Sequence, residues 1–419
     1  MFFNRQKNLN IGERKMKKNR LIFLLVLMLY FLCPLVAGGK KEAVQIKGKL
    51  TIWADDTRTK IFRDIGKEFK EETGIDVEVT EMLLDDIREQ AIIMAPTGKG
   101  PDILVGAHDW IGKLVVNGTI SEIKLPKETI DKFDAVTIEA MSYGGNLYGI
   151  PYAREGVALI YNKKLVPKPP ESWEELLIIA RKLTDPKKPQ YGFIYEHPFP
   201  YNGFPILSSQ GKGYIFGKNP DGTLNICDIG IEGFVEGAEI YDSLIEEGIL
   251  PPEVSWETMT GLLSHGQAGM VISGPWAIPI AKSADINVGV IPLPTINGGT
   301  PRPFVGVPGI MVSTFSNNQA LIREFIDHFV TKETMLLMFH ADPRIPAYLP
   351  AYEEVSDDPI LKAFAESIEK GIPLPNVPEM RKTWTIWADA MAMIASQKME
   401  PLEALRQATE QIKKELECK

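Results

Sequence analysis

The 419-residue chain is poor in cysteine and histidine, with three Cys and five His. No two His stand at ligand spacing with a carboxylate, so His108 is a weak metal candidate and no metal site is implied. CxxC, Gly-x-Ser-x-Gly, a Gly-rich phosphate loop and His-Glu-x-x-His are all missing, which removes the sequence support for redox, nucleophile-elbow, nucleotide and zinc-hydrolase chemistry. No cofactor is implied. Internal repeats and low-complexity segments are absent. Positive charge is in deficit: the formal net charge is −9. Such a chain is a poor polyanion binder, so nucleic acid and anionic membranes are not expected partners.

Long apolar runs are also scarce. The twelve residues Leu21 to Leu32 follow a basic patch at Lys17, Lys18 and Arg20, and small residues follow at Ala37, Gly38 and Gly39. That is a secretory signal layout over residues 1–39, and the run is short for a membrane span. Met16, just before the basic patch, is a candidate true start. A membrane anchor is the plain alternative. A lipid anchor wants a small residue before Cys33, where Leu32 stands. Loss of residues 1–39 removes seven basic residues and one acidic residue, which moves the net charge from −9 to −15. The remaining cysteines are Cys227 and Cys418. With Cys418 in a tail expected to fray, no structural disulfide is expected, although export permits one.

What remains reads as α/β. Lys49–Trp53 predicts a first strand. Ile61, Ile65 and Phe69 form a helical stripe that Gly74 terminates. Asp76–Val79 predicts a second strand, Ile87–Ala95 a helix and Pro101–Val105 a third, buried strand. Strands alternating with helices imply a mixed or parallel sheet whose ligands bind beyond the strand carboxyl ends. Leu159–Asn162 predicts another strand, and Ser172-Trp-Glu-Glu175 is a capping box. Residues 185–225, rich in Pro, Gly and aromatics, predict an irregular binding face. Helices are expected at Phe234–Glu247 and Thr258–His265, strands at Ala268–Ser273, Val288–Pro292 and Phe304–Ser313, and a last helix at Pro401–Glu417, with Pro401 at its first position. Two α/β lobes accommodate this, with hinge crossings near 151–157, 303–309 and 355–360.

Candidate site residues fall at strand ends and turns. At Gly274-Pro275 an apolar run turns sharply and presents Trp276 at the head of a helix, a ring suited to the CH face of a sugar. Trp384 and Trp387, three apart, share one helix face. Phe199 and Tyr201 lie in the irregular face. Asp55 and Asp56 offer acceptors for hydroxyl protons and Arg58 a donor. The plain alternative for the acids is a helix N-cap. Asp109 beside Trp110 supplies an acceptor and a face together, against a capped helix with a core Trp. Glu155 reaches a cleft floor, or else pairs with Arg154 at the surface.

Taken in order, Lys49-Leu-Thr-Ile-Trp53, Thr73-Gly-Ile, Gly100-Pro-Asp-Ile103, Ala107-His-Asp109, Leu159-Ile-Tyr-Asn-Lys163, Pro169-Pro-Glu-Ser-Trp-Glu-Glu175, Gly274-Pro-Trp-Ala277, Pro303-Phe-Val-Gly-Val307 and Pro375-Asn-Val-Pro-Glu-Met380 resemble the maltose/maltodextrin-binding proteins, extracellular receptors of ABC sugar importers. The resemblance covers roughly residues 48–416. It implies a two-lobed periplasmic-binding-protein fold, with residues 43–153 and 310–355 in the first lobe and 158–304 and 360–417 in the second. It implies ligand roles for Asp56, Asp109, Glu155, Trp276 and Trp384, with another ring at Phe199 or Tyr201. The family pattern has an aromatic before Ala-His-Asp and an Arg after it. Here Gly106 and Trp110 stand instead, which implies a displaced stacking surface. Trp387 stands where the pattern is usually aliphatic.

The resemblance implies a receptor, not an enzyme. Such a receptor captures maltose or a maltodextrin outside the cytoplasm, in the periplasm or at the outer face of the cytoplasmic membrane, and delivers it as a monomer to an ABC permease. Other expectations are a receptor for another sugar (trehalose or a β-linked oligosaccharide), an exported glycoside hydrolase with paired carboxylates, or an adhesion protein.

Overall fold

Two α/β units arise from period-2 strands, and in the first of them alternate side chains enter different cores. The structure, a computed structural model, describes residues 48–185 and 187–418, without the side chain of Asp85. The signal layout at 1–39, the alternative start at Met16 and Cys33 lie outside the described residues. The strands that matter here are β1 (Lys49–Ala54), β2 (Asp76–Glu81), β3 (Ile103–Ala107), β4 (Gly149–Pro151), β5 (Ala158–Asn162), β6 (Tyr191–Tyr195), β7 (Ala268–Ser273), β8 (Val288–Ile291) and β9 (Pro308–Val312). The helices are α1 (Asp56–Thr73), α2 (Pro200–Leu207), α3 (Ala277–Ser283), α4 (Met380–Ala395) and α5 (Pro401–Glu415).

The first sheet has the order β2-β1-β3-β9-β4. β1 runs parallel to β2 and β3, and β9 is antiparallel to β3 and β4. Leu50, Ile52, Ile103, Val105, Ile310 and Val312 enter a core shared with Phe62, Ile65 and Phe69 of α1. Trp53, Leu104 and Met311, on the opposite face, pack with Ile87, Ala91 and Leu114. Both faces are therefore buried, as expected of sheets covered by helices. Asp55 caps α1, accepting from the backbone of Thr57 at 2.9 Å and of Arg58 at 3.1 Å. Gly74 ends it at φ 78°, a conformation that favours glycine.

The second sheet has the order β8-β5-β7-β6. β7 is antiparallel to β5 and parallel to β6. One core takes in both faces, with Leu159, Phe193, Ile272, Phe234 and Trp387 among its members. The fold is a two-lobed α/β architecture. Of the predicted irregular face at 185–225, β6, α2 and a hairpin of Phe216–Lys218 with Leu224–Ile229 are regular. Phe193, Tyr195, Phe204 and Phe216 are core residues of these elements, whereas Phe199 and Tyr214 are exposed. The capping box forms with one shift. Ser172 Oγ accepts from the Glu175 amide at 3.1 Å, but Glu175 returns to the amide of Glu171 at 2.9 Å. The predicted strand at 304–313 breaks into Phe304–Val305 and β9. No helix of the described residues is long and apolar enough to cross a membrane.

The expectation of no disulfide is overturned. Cys227 and Cys418 are bonded, with Cα atoms 5.4 Å apart and a sequence separation of 191. The tail after α5 does not fray; it turns back onto the strand Leu224–Ile229 and is tethered there. A long closed loop removes much unfolded-state entropy, so Cys227→Ser should lower stability by about 2–4 kcal/mol. Chemical denaturation with and without reductant measures this; an unchanged midpoint contradicts it.

Candidate functional site

Two extended crossings meet side by side. Glu155 and Gly306 exchange backbone hydrogen bonds, Glu155 donating to the Gly306 carbonyl at 2.9 Å and Gly306 returning one at 2.8 Å. Beside them Ile345–Pro346 pairs with Ala153–Arg154. That pairing sets Arg344 next to Glu155. Arg344 donates through Nε to Glu155 and through Nη1 to Asp342. Arg58 comes from α1 and pairs with Asp55, donates to the Tyr152 hydroxyl at 2.6 Å and lies 4.0 Å from Glu155. Three carboxylates thus face two guanidiniums, with every charged side chain buried.

Asp55 and Arg58 support each other's charge. Burial opposes the charge on Asp55, but Arg58 and the Thr57 hydrogen bond outweigh it and hold the carboxyl below its ordinary range. Burial likewise opposes the Arg58 charge, and Asp55, Tyr152 and Glu155 more than offset it, so its pKa is raised. Buried ion pairs contribute little net stability, but loss of one partner strands the other and costs about 3–5 kcal/mol.

The rings come from the second lobe. Trp276 stands between β7 and α3, at a turn where Ala277 donates to the Gly274 carbonyl at 3.1 Å. A side chain at Gly274 would strike the Trp276 ring, so the glycine is a condition of the ring's position. The half-buried Trp276 ring has Tyr201 at 6.3 Å and the Arg344 guanidinium carbon at 5.4 Å. Tyr201 stacks on Phe304 at 5.9 Å, Phe304 meets Trp384 edge-on at 5.4 Å, and Trp384 meets Phe199 at 5.0 Å. Rings and charges form one continuous chain of contacts. They join where a Cβ at Gly306 would lie 3.3 Å from the Tyr201 hydroxyl and 3.4 Å from Glu155 Oε1.

The candidate residues divide into groups. Glu155, Tyr201 and Trp276 come together. Asp109, half-buried after β3, joins Glu155 in raising the Tyr201 hydroxyl pKa, behind burial as the main cause. Phe199 is 41 % exposed and lies against Trp384, of which 5 % remains exposed. Asp56 is exposed in the first turn of α1. Asp55 and Arg58 are buried in the ion cluster, Asp55 also serving as the N-cap. Two rings are corrected. Trp387 is wholly buried, stacked on Phe234 at 5.4 Å and 5°, so it has no face for a ligand. Trp110 is 3 % exposed and lies in the space a side chain at residue 106 would fill, with the Arg88 guanidinium 5.6 Å from its ring. Gly106 and Trp110 are therefore one packing exchange and not a displaced platform. The Arg154–Glu155 surface pair is also absent: Arg154 pairs with Asp134 at 3.3 Å.

Sequence reading missed Arg344, Asp342, Tyr152 and Phe304. Arg344 lies 189 residues from Glu155, and nothing local in Asp342-Pro-Arg344 announces that pairing. His108 is not a metal ligand candidate in the structure. Its Nδ1 accepts from the Val307 amide at 3.0 Å, which leaves Nε2–H to donate to the Leu374 carbonyl at 3.0 Å. Among the described residues no group of three His, Cys, Asp or Glu is placed to hold a metal ion.

With this geometry in view, residues 64–363 match the family profile of the bacterial extracellular solute-binding proteins. The chain belongs to that family. A galactooligosaccharide-binding protein of Bacillus subtilis is 30% identical over 425 residues, covering 97% of this chain and 99% of the relative. A maltotriose-binding protein of Pyrococcus abyssi is 29% identical over 364 residues, covering 82% and 77%. A maltotriose-binding protein of Thermus thermophilus, solved with maltotriose bound, superposes with a TM-score of 0.83 at 29% identity, over 88% of this chain and 100% of that one. The solute-binding family comprises binding proteins and not enzymes, and the resemblance to sugar-binding receptors of ABC importers holds.

Two outcomes follow for this solute-binding protein. Trp387→Ala should cost about 3–5 kcal/mol of stability, the range for a fully buried aromatic, whereas Trp276→Ala should cost less than half as much. Denaturant midpoints test this, and equal losses contradict it. Burial also lowers the pKa of His108, and that of His197 to about 4. Both bind protons more readily when unfolded. Their contribution is complete above the ordinary value near 6.5 and falls away on acidification, for His197 toward pH 4. Thermal melts across that range measure it; a flat or rising melting temperature on acidification contradicts it.

Proposed function

We propose that the chain is an extracytoplasmic receptor for neutral oligosaccharides of the maltose/maltodextrin type, which it delivers to the permease of an ABC transporter. The observation that carries this reading is the meeting of the half-buried Trp276 ring and the Tyr201 hydroxyl with Glu155 at the paired crossings. An indole accepts the CH face of a sugar, and ionised carboxylates accept its hydroxyl protons. Asp56 and Asp109 add acceptors from the first lobe, and the exposed Phe199 adds a ring from the second, backed by Trp384, which is itself buried and stacked on Trp387. The balance of charge favours a neutral ligand: both guanidiniums of the buried cluster are already paired, and carboxylates outnumber them.

Each lobe offers part of the site, the charges from one and the rings from the other. A ligand that touches both has differential affinity for the closed state and shifts the population toward it. The crossings at 151–157, 303–309 and 355–360 serve as the hinge, with lobes divided as the resemblance implies. At 355–360 the crossing chain connects two helices, Leu349–Val355 and Pro359–Ile368. Export, followed by docking on the permease as a monomer, completes the role. A second reading, a receptor for galactooligosaccharides, is favoured by the relative that matches this chain over 97% of its length.

Calorimetric titration with maltose, maltotriose, trehalose and a galactotriose tests the reading. The expected result is heat with at least one maltodextrin, at an affinity of about micromolar or tighter. Trp276→Ala should weaken it more than tenfold. No heat with any of these sugars overturns the assignment, and binding of the galactotriose alone selects the second reading.

A further inference from the structure

We propose that Arg344 is a specificity-determining residue of the sugar site, selecting by the orientation of hydroxyls on the ring that stacks on Trp276. The proposal rests on the sugar reading above and extends it. An indole face is tolerant: it accepts any sugar ring with a flat CH surface and does not itself distinguish an axial from an equatorial hydroxyl. Stacking fixes only the height and tilt of that ring. Discrimination needs a polar group at a fixed place on the border of the stack.

Arg344 is that group. Its side chain is 4 % exposed and is held at two points, Nε by Glu155 and Nη1 by Asp342. The backbone is held as well, since the next two residues, Ile345–Pro346, pair with Ala153–Arg154. From this mount the guanidinium carbon stands 5.4 Å from the centre of the Trp276 ring. That gap is too narrow for a sugar ring to lie between them. The guanidinium lies over the indole, so a ligand on Trp276 takes the part of the indole left open beside it and meets the border of a charged, planar donor group whose position the carboxylates set. A guanidinium has five N–H donors in a rigid fork and is less adaptable than an ammonium on a flexible stem. A hydroxyl of one configuration meets that edge; its epimer leaves a buried donor without its partner.

The same contact crosses between lobes: Arg344 belongs to the element paired with the hinge crossing, and Trp276 to the turn after β7. The selection is therefore applied in the closed form. A mismatched sugar is rejected at closure, after its first contact with the rings.

Titration calorimetry of the full chain with maltotriose and with β-1,4-linked galactotriose tests this. Two variants are compared with the unaltered protein. Arg344→Lys keeps the charge between Glu155 and Asp342 but loses the planar fork. Arg344→Gln combined with Asp342→Asn removes one charge of each sign and so preserves the balance of the cluster. The expected result is a change of at least tenfold in the ratio of the two affinities in either variant that retains the wild-type melting profile. A ratio that stays constant while both affinities fall together means that Arg344 only supports the structure, and overturns the proposal; so does no change at all. If the unaltered protein binds neither sugar, the sugar reading itself fails. If it binds and the ratio does not move, only the role of Arg344 fails.

Discussion

A guanidinium held between two buried carboxylates is the constraint on which the site depends. Arg344 joins Glu155 of one crossing strand to Asp342 at the end of a helix, and Arg58 extends the same cluster to Asp55 at the head of α1. Ions taken out of water at such cost are tolerated because each has a partner of opposite sign within contact. The cluster sits beside a two-bond backbone bridge between Glu155 and Gly306 and the short pairing of Ala153–Arg154 with Ile345–Pro346. Side-chain charge adds to the backbone pairing there. Gly306 must be small there, since the Glu155 Cγ and the Tyr201 hydroxyl already stand 3.2 Å and 3.3 Å from where its Cβ would be.

From that centre the chemistry divides by lobe. Acids and guanidiniums come from α1, the crossings and the loop before Ile345. Rings come from α2, the turn before α3, and α4. On the proposed reading, a ligand held between the halves gains contacts with both, and reception rests on the free-energy difference between open and closed forms that such a ligand would supply. His108 adds a fixed clamp, holding the crossing at Val307 and the loop at Leu374 to the first lobe through one neutral ring.

Much of the fold was legible where the cause is local. β1 alternates Leu50 and Ile52 against Trp53, and α1 carries its own N-cap and C-cap, so both elements stand close to their expected ends. Trp276 was legible because Gly274-Pro275 forces a turn and then offers a ring. What failed had distant causes. Spacing of three put Trp384 and Trp387 on one helix face, but it does not say that Trp387 lies on the side toward Phe234. Gly106 read as a missing ring; in the structure it is the space that the Trp110 ring requires. Arg344 and the Cys227–Cys418 bond each join residues nearly two hundred positions apart, and no periodicity or spacing in one sequence encodes such a contact. Residues 185–225 misled for another reason: Pro200 starts α2, and Gly192, Gly203 and Pro205 stand inside regular elements without breaking them.

The most direct test is a crystal structure of the full chain with the tightest-binding oligosaccharide. The account predicts a sugar ring against the Trp276 indole, its hydroxyls bonded to Glu155 and to acids of the first lobe, with both lobes touching the ligand. A sugar seated elsewhere, or bound by one lobe alone with the Glu155–Arg344 cluster remote from it, contradicts the account.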